Sequence, residues 1–186
     1  LVKIDSKQIN LSEFQESLDQ NKLTHAIETT FRSSVNFVGV NLNQGSSQLL
    51  QYVSGLNKVL ASSLVSYREK NGPFLNLKQL IDVPGINKKI FQQAAGFLLI
   101  QDGDCPLDQT RVHPEYYEIA NNIANSLKLD SKAILANSSK LKGLDVSQFA
   151  NEHCGIFSLK AIKFELIVSG RDPRKEFILP EFHSNL

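Results

Sequence analysis

Between residues 22 and 37 the apolar positions Leu23, Ala26, Ile27, Thr30, Phe31 and Val35 recur at three- and four-residue intervals, which predicts one amphipathic helix capped by Asn21. Residues 39–45 break the pattern and read as a loop, after which Ser46 or Ser47 can cap a short helix ending in Leu49-Leu50. A second helix is predicted from Asn57 toward Lys70 over Leu60, Ala61, Leu64 and Val65, and Asn71-Gly72-Pro73 stops it. The plan then recurs. Asn76 caps residues 77–81, a turn follows, and a helix over residues 88–99 carries Ile90, Phe91, Ala94, Ala95 and Leu98. Residues 101–113 form a polar connection. Pro114 suits the first turn of a helix through about Leu127, and further helical segments are expected at residues 131–136, 144–150 and 156–168. Gly170, Pro173, Pro180 and spaced aromatics mark the last stretch as an extended exit linker. No stretch alternates long enough to require a sheet, so the expected fold class is all-α.

Two six-residue blocks explain the recurrence. Val53-Ser54-Gly55-Leu56-Asn57-Lys58 and Val83-Pro84-Gly85-Ile86-Asn87-Lys88 lie thirty residues apart and match at four positions, with Leu56 and Ile86 a conservative fifth. Each sits between two helical patterns, so each reads as a tight hairpin whose glycine permits a bend that a Cβ would obstruct. The helix after each bend starts with unpaired N–H groups and a positive dipole end, which together favour an anion such as phosphate. A repeated phosphate-sized site points to a nucleic-acid backbone.

Charge supports the same location. The whole chain carries +1, yet residues 46–101 hold six basic residues (Lys58, Arg68, Lys70, Lys78, Lys88, Lys89) against Glu69 and Asp82, leaving +4 there and −3 elsewhere. A solvated surface would show the same modest excess. The 41% hydrophobic content is ordinary for a globular chain. Cys105 and Cys154 have no CxxC spacing and the four histidines are scattered, so no metal site or cofactor is expected, and the two thiols fit a reducing cytoplasmic compartment. No apolar run approaches the ~20 residues of a membrane span, and the N-terminal residues lack a signal-peptide pattern. The chain contains no methionine, even at position 1, and reads as an excised fragment.

Seven blocks in order carry a family resemblance: residues 34–43, Val53-Ser54-Gly55-Leu56-Asn57, Tyr67 to Phe74 around Asn71-Gly72-Pro73, residues 91–98 with Ala94-Ala95-Gly96, Pro106-Leu107-Asp108, His113-Pro114-Glu115 with Tyr117, and Gly170-Arg171-Asp172-Pro173-Arg174. From about residue 22 to 182 the chain resembles the helix-hairpin-helix region of Tex-type transcription accessory proteins. The resemblance implies a middle fragment of a larger nucleic-acid-binding protein, whose relatives add an N-terminal helical part, a nuclease-like domain and an S1 RNA-binding domain. It further implies an architecture related to a eukaryotic elongation factor that chaperones histones, and a degenerate hairpin-like unit after residue 101. The general pattern favours a second glycine where Asn57 and Asn87 stand here. Asn tolerates left-handed backbone better than other non-glycine residues, so the bend is expected to survive with Asn at these two places.

The resulting division is an N-terminal lead-in and helix at 1–45, a tandem helix-hairpin-helix module at 46–101, a C-terminal helical unit at 102–170 and the exit linker at 171–186. The proposed backbone-binding residues are Gly55, Leu56, Asn57, Lys58, Gly85, Ile86, Asn87, Lys88 and Lys89. The expected function is sequence-independent binding of DNA or RNA in contact with the transcription machinery. The alternative is a helical protein-interaction scaffold in a transcription complex, with the hairpins serving only to pack helices. An enzymatic reading would make Lys89 a Schiff-base nucleophile with Asp104 or Asp108 nearby, as in hairpin-containing DNA glycosylases, but the cysteine cluster and base pocket of those enzymes are missing, so no catalysis is expected. His113 is read as a helix-start or packing residue, and Tyr116, Tyr117 and Phe177 as packing residues rather than base-stacking ones.

Overall fold

Asp19, rather than Asn21, opens the first helix: its carboxylate accepts the N–H groups of Asn21 at 2.9 Å and Lys22 at 3.3 Å. The computed structural model describes residues 18–151 and 154–168. Most of the lead-in, the exit linker with Phe177 and His183, and His153 fall outside these residues. Helix α1 covers Gln20–Val38 and buries only Val35, while Leu23, Ile27 and Phe31 are half-buried and Ala26 and Thr30 exposed. The expected stripe is therefore used mainly toward the C-terminal end, where the Phe31 ring lies 5.8 Å from that of Tyr52.

The repeat then unfolds as two matched halves. The first comprises α2 (Ser47–Leu50), whose Ser46 cap accepts from Leu49 N–H at 3.2 Å, and α3 (Lys58–Asn71). The second comprises a 3₁₀ helix at Leu77–Asp82 and α4 (Lys88–Ala94). Gln79 holds the start of that 3₁₀ helix by accepting from the N–H groups of Leu75 at 2.7 Å and Asn76 at 3.3 Å. Leu42, Leu50, Val53, Leu64, Phe74, Leu77, Leu80, Val83, Leu98 and Ile100 are all almost fully buried in one cluster between the halves.

A small sheet closes this half, contrary to the sheet-free expectation. Strand β1 (Val40–Asn41) pairs in parallel with β2 (Leu98–Leu99), Val40 opposite Leu98 and Asn41 opposite Leu99. Two residues are too few to leave an alternating pattern, which is why the periodicity missed them.

A second hydrophobic cluster forms around Leu107, Val112, Ile123, Ile134, Leu141, Cys154, Leu159 and Leu166. It is built from α5 (Tyr117–Ser126), α6 (Ser131–Ala136), α7 (Ser138–Lys142) and α8 (Ile156–Val168). The helix expected over 144–150 is a single 3₁₀ turn at Ser147–Phe149, and α7 was not anticipated. The Nζ of Lys163 donates to the carbonyls of Lys142 and Leu144 at 3.0 and 2.7 Å, tying the end of α7 to α8. The fold is mostly helical throughout.

Polar side chains tie the loops to the elements beside them. The side chain of Asn43 accepts from Phe74 N–H at 2.8 Å and donates to Phe74 C=O at 2.9 Å, so it pairs with that backbone as a strand would. The guanidinium of Arg68 donates to the carbonyls of Leu42 and Gly45, both at 2.8 Å. That of Arg111 pairs with Glu165 at 2.7 and 3.1 Å, donates to the Phe37 carbonyl and lies 5.6 Å from the Phe37 ring. Arg111 thus connects the end of α1 to α8. Among the described residues no helix is long and apolar enough to cross a membrane.

Candidate nucleic-acid interface

Each hairpin is built on one tight turn. The Val53 carbonyl accepts the Leu56 N–H at 3.0 Å, and the Val83 carbonyl accepts the Ile86 N–H at 3.0 Å. The third residue of each turn is glycine with positive φ, +85° at Gly55 and +91° at Gly85, as a type II turn requires. Pro84 occupies the second position of its turn, where its ring pre-sets the backbone. Val53, Leu56, Val83 and Ile86 all point into the core, which anchors both turns against it. Leu56 and Ile86 therefore contribute no free donor, because their N–H groups close the turns and their side chains are buried.

Asn57 and Asn87 do not carry the bend. Their φ values are −132° and −108°, extended backbone, and each side chain caps the next helix. Oδ1 of Asn57 accepts from Leu60 N–H at 2.9 Å, and Oδ1 of Asn87 accepts from Ile90 N–H at 2.9 Å. The glycine alone supplies the left-handed residue, and Asn takes the N-cap position that it favours on ordinary grounds.

The capping leaves a defined set of donors. In the first hairpin the N–H groups of Gly55, Asn57, Lys58 and Val59 have no acceptor among the described residues, and in the second those of Gly85, Asn87, Lys88 and Lys89 have none. Asn57, Lys58, Val59, Asn87, Lys88 and Lys89 are exposed, and none of the three lysines is in an ion pair among the described residues. Val59 was missed by the sequence reading, although it stands thirty residues before Lys89. Of the six basic residues counted for this segment, Arg68 is spent on internal carbonyls.

The two turns differ in surroundings. A Cβ on Gly55 would lie 2.8 Å from Cβ of Gln93 and 3.3 Å from the Ile90 carbonyl oxygen, so the first turn is pressed against α4. A Cβ on Gly85 would meet only Cδ2 of Leu60 in α3, at 3.0 Å, and Gly85 is exposed. Each hairpin glycine therefore faces the second helix of the other repeat. The second hairpin is the more open of the two.

Asp108, one of the acids considered beside Lys89, is buried and occupied. Its two oxygens accept from Leu77 N–H at 2.8 Å and from the Tyr117 hydroxyl at 2.7 Å. Burial, and then the Asp108 hydrogen bond, push the Tyr117 phenol far above its ordinary range. Cys105 and Cys154 are free thiols, raised chiefly by burial. His113 caps the 3₁₀ turn Pro114–Tyr116 through Nδ1, which accepts from Glu115 N–H at 3.3 Å, and its Nε2 lies 3.0 Å from the Gln92 carbonyl oxygen. It is a positioning residue between α4 and the following unit.

Comparisons with known proteins agree with this geometry. Residues 35–99 match the family described as helix-hairpin-helix motif, and residues 105–174 match the family described as HHH domain. The chain is 41% identical to Protein tex of Bordetella pertussis over 182 residues, covering 98% of this chain and 23% of that protein. It is 38% identical to transcriptional accessory protein Tex of Neisseria gonorrhoeae, covering 98% of this chain and 24% of that protein. With S1 RNA-binding domain-containing protein 1 of Homo sapiens it shares 31% identity, over 68% of this chain and 18% of the human protein. The chain thus spans about a quarter of the length of the bacterial relatives it matches.

Proposed function

The chain belongs to the helix-hairpin-helix regions of Tex-type proteins, and from that premise we propose that it binds the phosphate backbone of DNA or RNA, independently of sequence, within a transcription accessory protein of the cytoplasm. The observation that carries the reading is the repeated geometry: two turns, each presenting the same four unpaired N–H groups beside exposed lysines. Backbone N–H groups and lysines hold phosphates and read no bases, so such contacts position a strand without selecting its sequence. The second hairpin is the stronger site, because its glycine is exposed and two lysines follow it. The chain does no covalent chemistry in this reading, in keeping with the engagement of Asp108 by Leu77 and Tyr117.

The test is fluorescence anisotropy with unrelated DNA and RNA sequences over a salt series. Dissociation constants of ~10⁻⁴ to 10⁻⁶ M at physiological salt, equal between sequences and weakening as salt rises, are expected. Strong preference for one sequence, or affinity indifferent to salt, would overturn it.

One observation favours the scaffold as a second reading. Phe157 is 90% exposed and Phe164 57% exposed, two large aromatics seven residues apart on α8, a helix far along the chain from both hairpins. Binding of a transcription protein lost on Phe157→Ser, with nucleic-acid binding intact, would establish that role.

A further inference from the structure

We propose that the groove beside α3 is a docking surface for a protein partner, and that its occupant is an extended peptide with an apolar side chain between two carboxylates about five residues apart. In α3, Lys58, Ser62, Ser66 and Lys70 follow one another at four-residue spacing and form one row of the helix surface. Val59 and Tyr67 stand in the adjacent row, and the second repeat contributes Asp82 and Pro84. Together they border a groove of about 720 Å³. Of the proposed phosphate-binding groups the groove borders on Lys58 and Val59 of the first hairpin and on none of the donors or lysines of the second. It is therefore a separate surface, and its occupancy does not depend on phosphate at the second turn.

The charges of the lining set the spacing of the occupant. Lys58 and Lys70 stand about 18 Å apart along the helix, at ~1.5 Å per residue, and five steps of extended chain at ~3.3 Å cover nearly the same length. Neither lysine is in an ion pair among the described residues. The rest of the lining supplies apolar surface: Val59 is 73% exposed, Pro84 is exposed, and the Tyr67 ring is held by stacking on Phe74 at 5.3 Å with 17° between planes. An apolar side chain between the two acids covers that surface. The exposed Ser66 hydroxyl has no hydrogen-bond partner among the described residues, which leaves it for the backbone groups that an extended peptide presents. A nucleic-acid strand fits less well. It carries a charge at every nucleotide and would set phosphates against Val59, Pro84 and the Asp82 carboxylate, whereas a peptide places its acids at the ends alone.

The probe is an array of short synthetic peptides in which two glutamates stand three, five or seven residues apart around a single leucine, with copies lacking the leucine or carrying lysine for glutamate. The full chain is expected to retain the five-residue spacing best and to lose it without the leucine. Retention of none, or retention that follows glutamate number whatever the spacing and the leucine, overturns the proposal. In solution, Ser66→Trp fills the groove from an exposed helix position and is expected to lower affinity for the retained peptide about tenfold, while affinity for an oligonucleotide stays within about twofold. Unchanged peptide affinity with the helical spectrum preserved overturns the proposal, and so does equal loss on both ligands, which would make the groove a nucleic-acid surface. Lys70→Glu is expected to reject the peptide with two glutamates and to accept the copy with lysine at one end. Should the filled variant lose its helical spectrum, this exchange decides alone, and failure of the lysine copy to bind overturns the proposal. Lys88→Ala with Lys89→Ala, run in parallel, is expected to leave peptide binding unchanged, and its loss would place the peptide elsewhere and overturn the groove. The oligonucleotide affinity of that double variant reports on the hairpin reading alone.

Discussion

The carboxylate of Asp108 takes the Tyr117 hydroxyl at 2.7 Å on one oxygen and the backbone N–H of Leu77 at 2.8 Å on the other, so one buried side chain holds the start of the second repeat against α5. Asp108→Ala strands two donors in a site closed to water. Each unpaired group costs roughly 1–3 kcal/mol. At ~2–4 °C per kcal/mol for a chain of this size, the melting temperature is expected to drop by several degrees in calorimetry, with the hairpins still formed.

The same pair sets a response to alkali. An unfolded tyrosine ionises near pH ~10, whereas folded Tyr117 keeps its proton to higher pH because burial and Asp108 oppose the phenolate. A raised folded pKa contributes stability that is complete below the unfolded value and is lost as pH rises above it. Chemical denaturation is therefore expected to show stability falling above pH ~10, and falling less steeply in Tyr117→Phe.

Asn87 separates two roles that the sequence alone confuses. As a cap, Asn87→Ala should cost about 1 kcal/mol, while Asn87→Gly should cost only a few tenths. A left-handed Asn87 would instead be stabilised by glycine. Thermal melts of the two variants, and of the matching pair at Asn57, check the assignment.

The first turn tolerates no side chain. Gly55→Ala combines a strained positive φ, worth ~1–2 kcal/mol, with a Cβ pressed onto Gln93 at 2.8 Å. Gly85→Ala meets only the flexible end of Leu60 at 3.0 Å. Both variants are expected to melt lower than the parent, Gly55→Ala the lower of the two.

Exposed Lys88 and Lys89 are expected to matter for binding and little for folding. If each neutralises one phosphate of duplex DNA, replacing both with alanine makes the plot of log affinity against log salt shallower by about 1.8. An unchanged slope with the helical spectrum preserved would make the second hairpin a packing device.

The hairpins were legible because Val-x-Gly-[Leu/Ile]-Asn-Lys combines constraints that are local: a turn needing positive φ, two anchors facing inward and a cap. What depended on distant partners was not. Arg68 counts as surface charge until the Leu42 and Gly45 carbonyls are seen beneath its guanidinium. Asp108 sits in a polar connection and looks solvated, yet the fold folds that connection onto Leu77 and buries the carboxylate. Asn87 was misjudged because the same residue type suits both left-handed backbone and caps.

The parallel pairing of Val40 with Leu98 brings the two ends of the hairpin pair together across 57 intervening residues. Strands so paired lie about 4.8 Å apart and run in the same direction. The segment between them is therefore a cassette whose ends are neighbours, the arrangement that tolerates circular permutation and insertion into a host loop. Joining residues 98–100 to 39–41 through a short linker and opening the chain at the exposed Asn71 to Pro73 turn should yield a permuted protein that keeps both hairpins, which makes the module portable as a unit rather than as single helices.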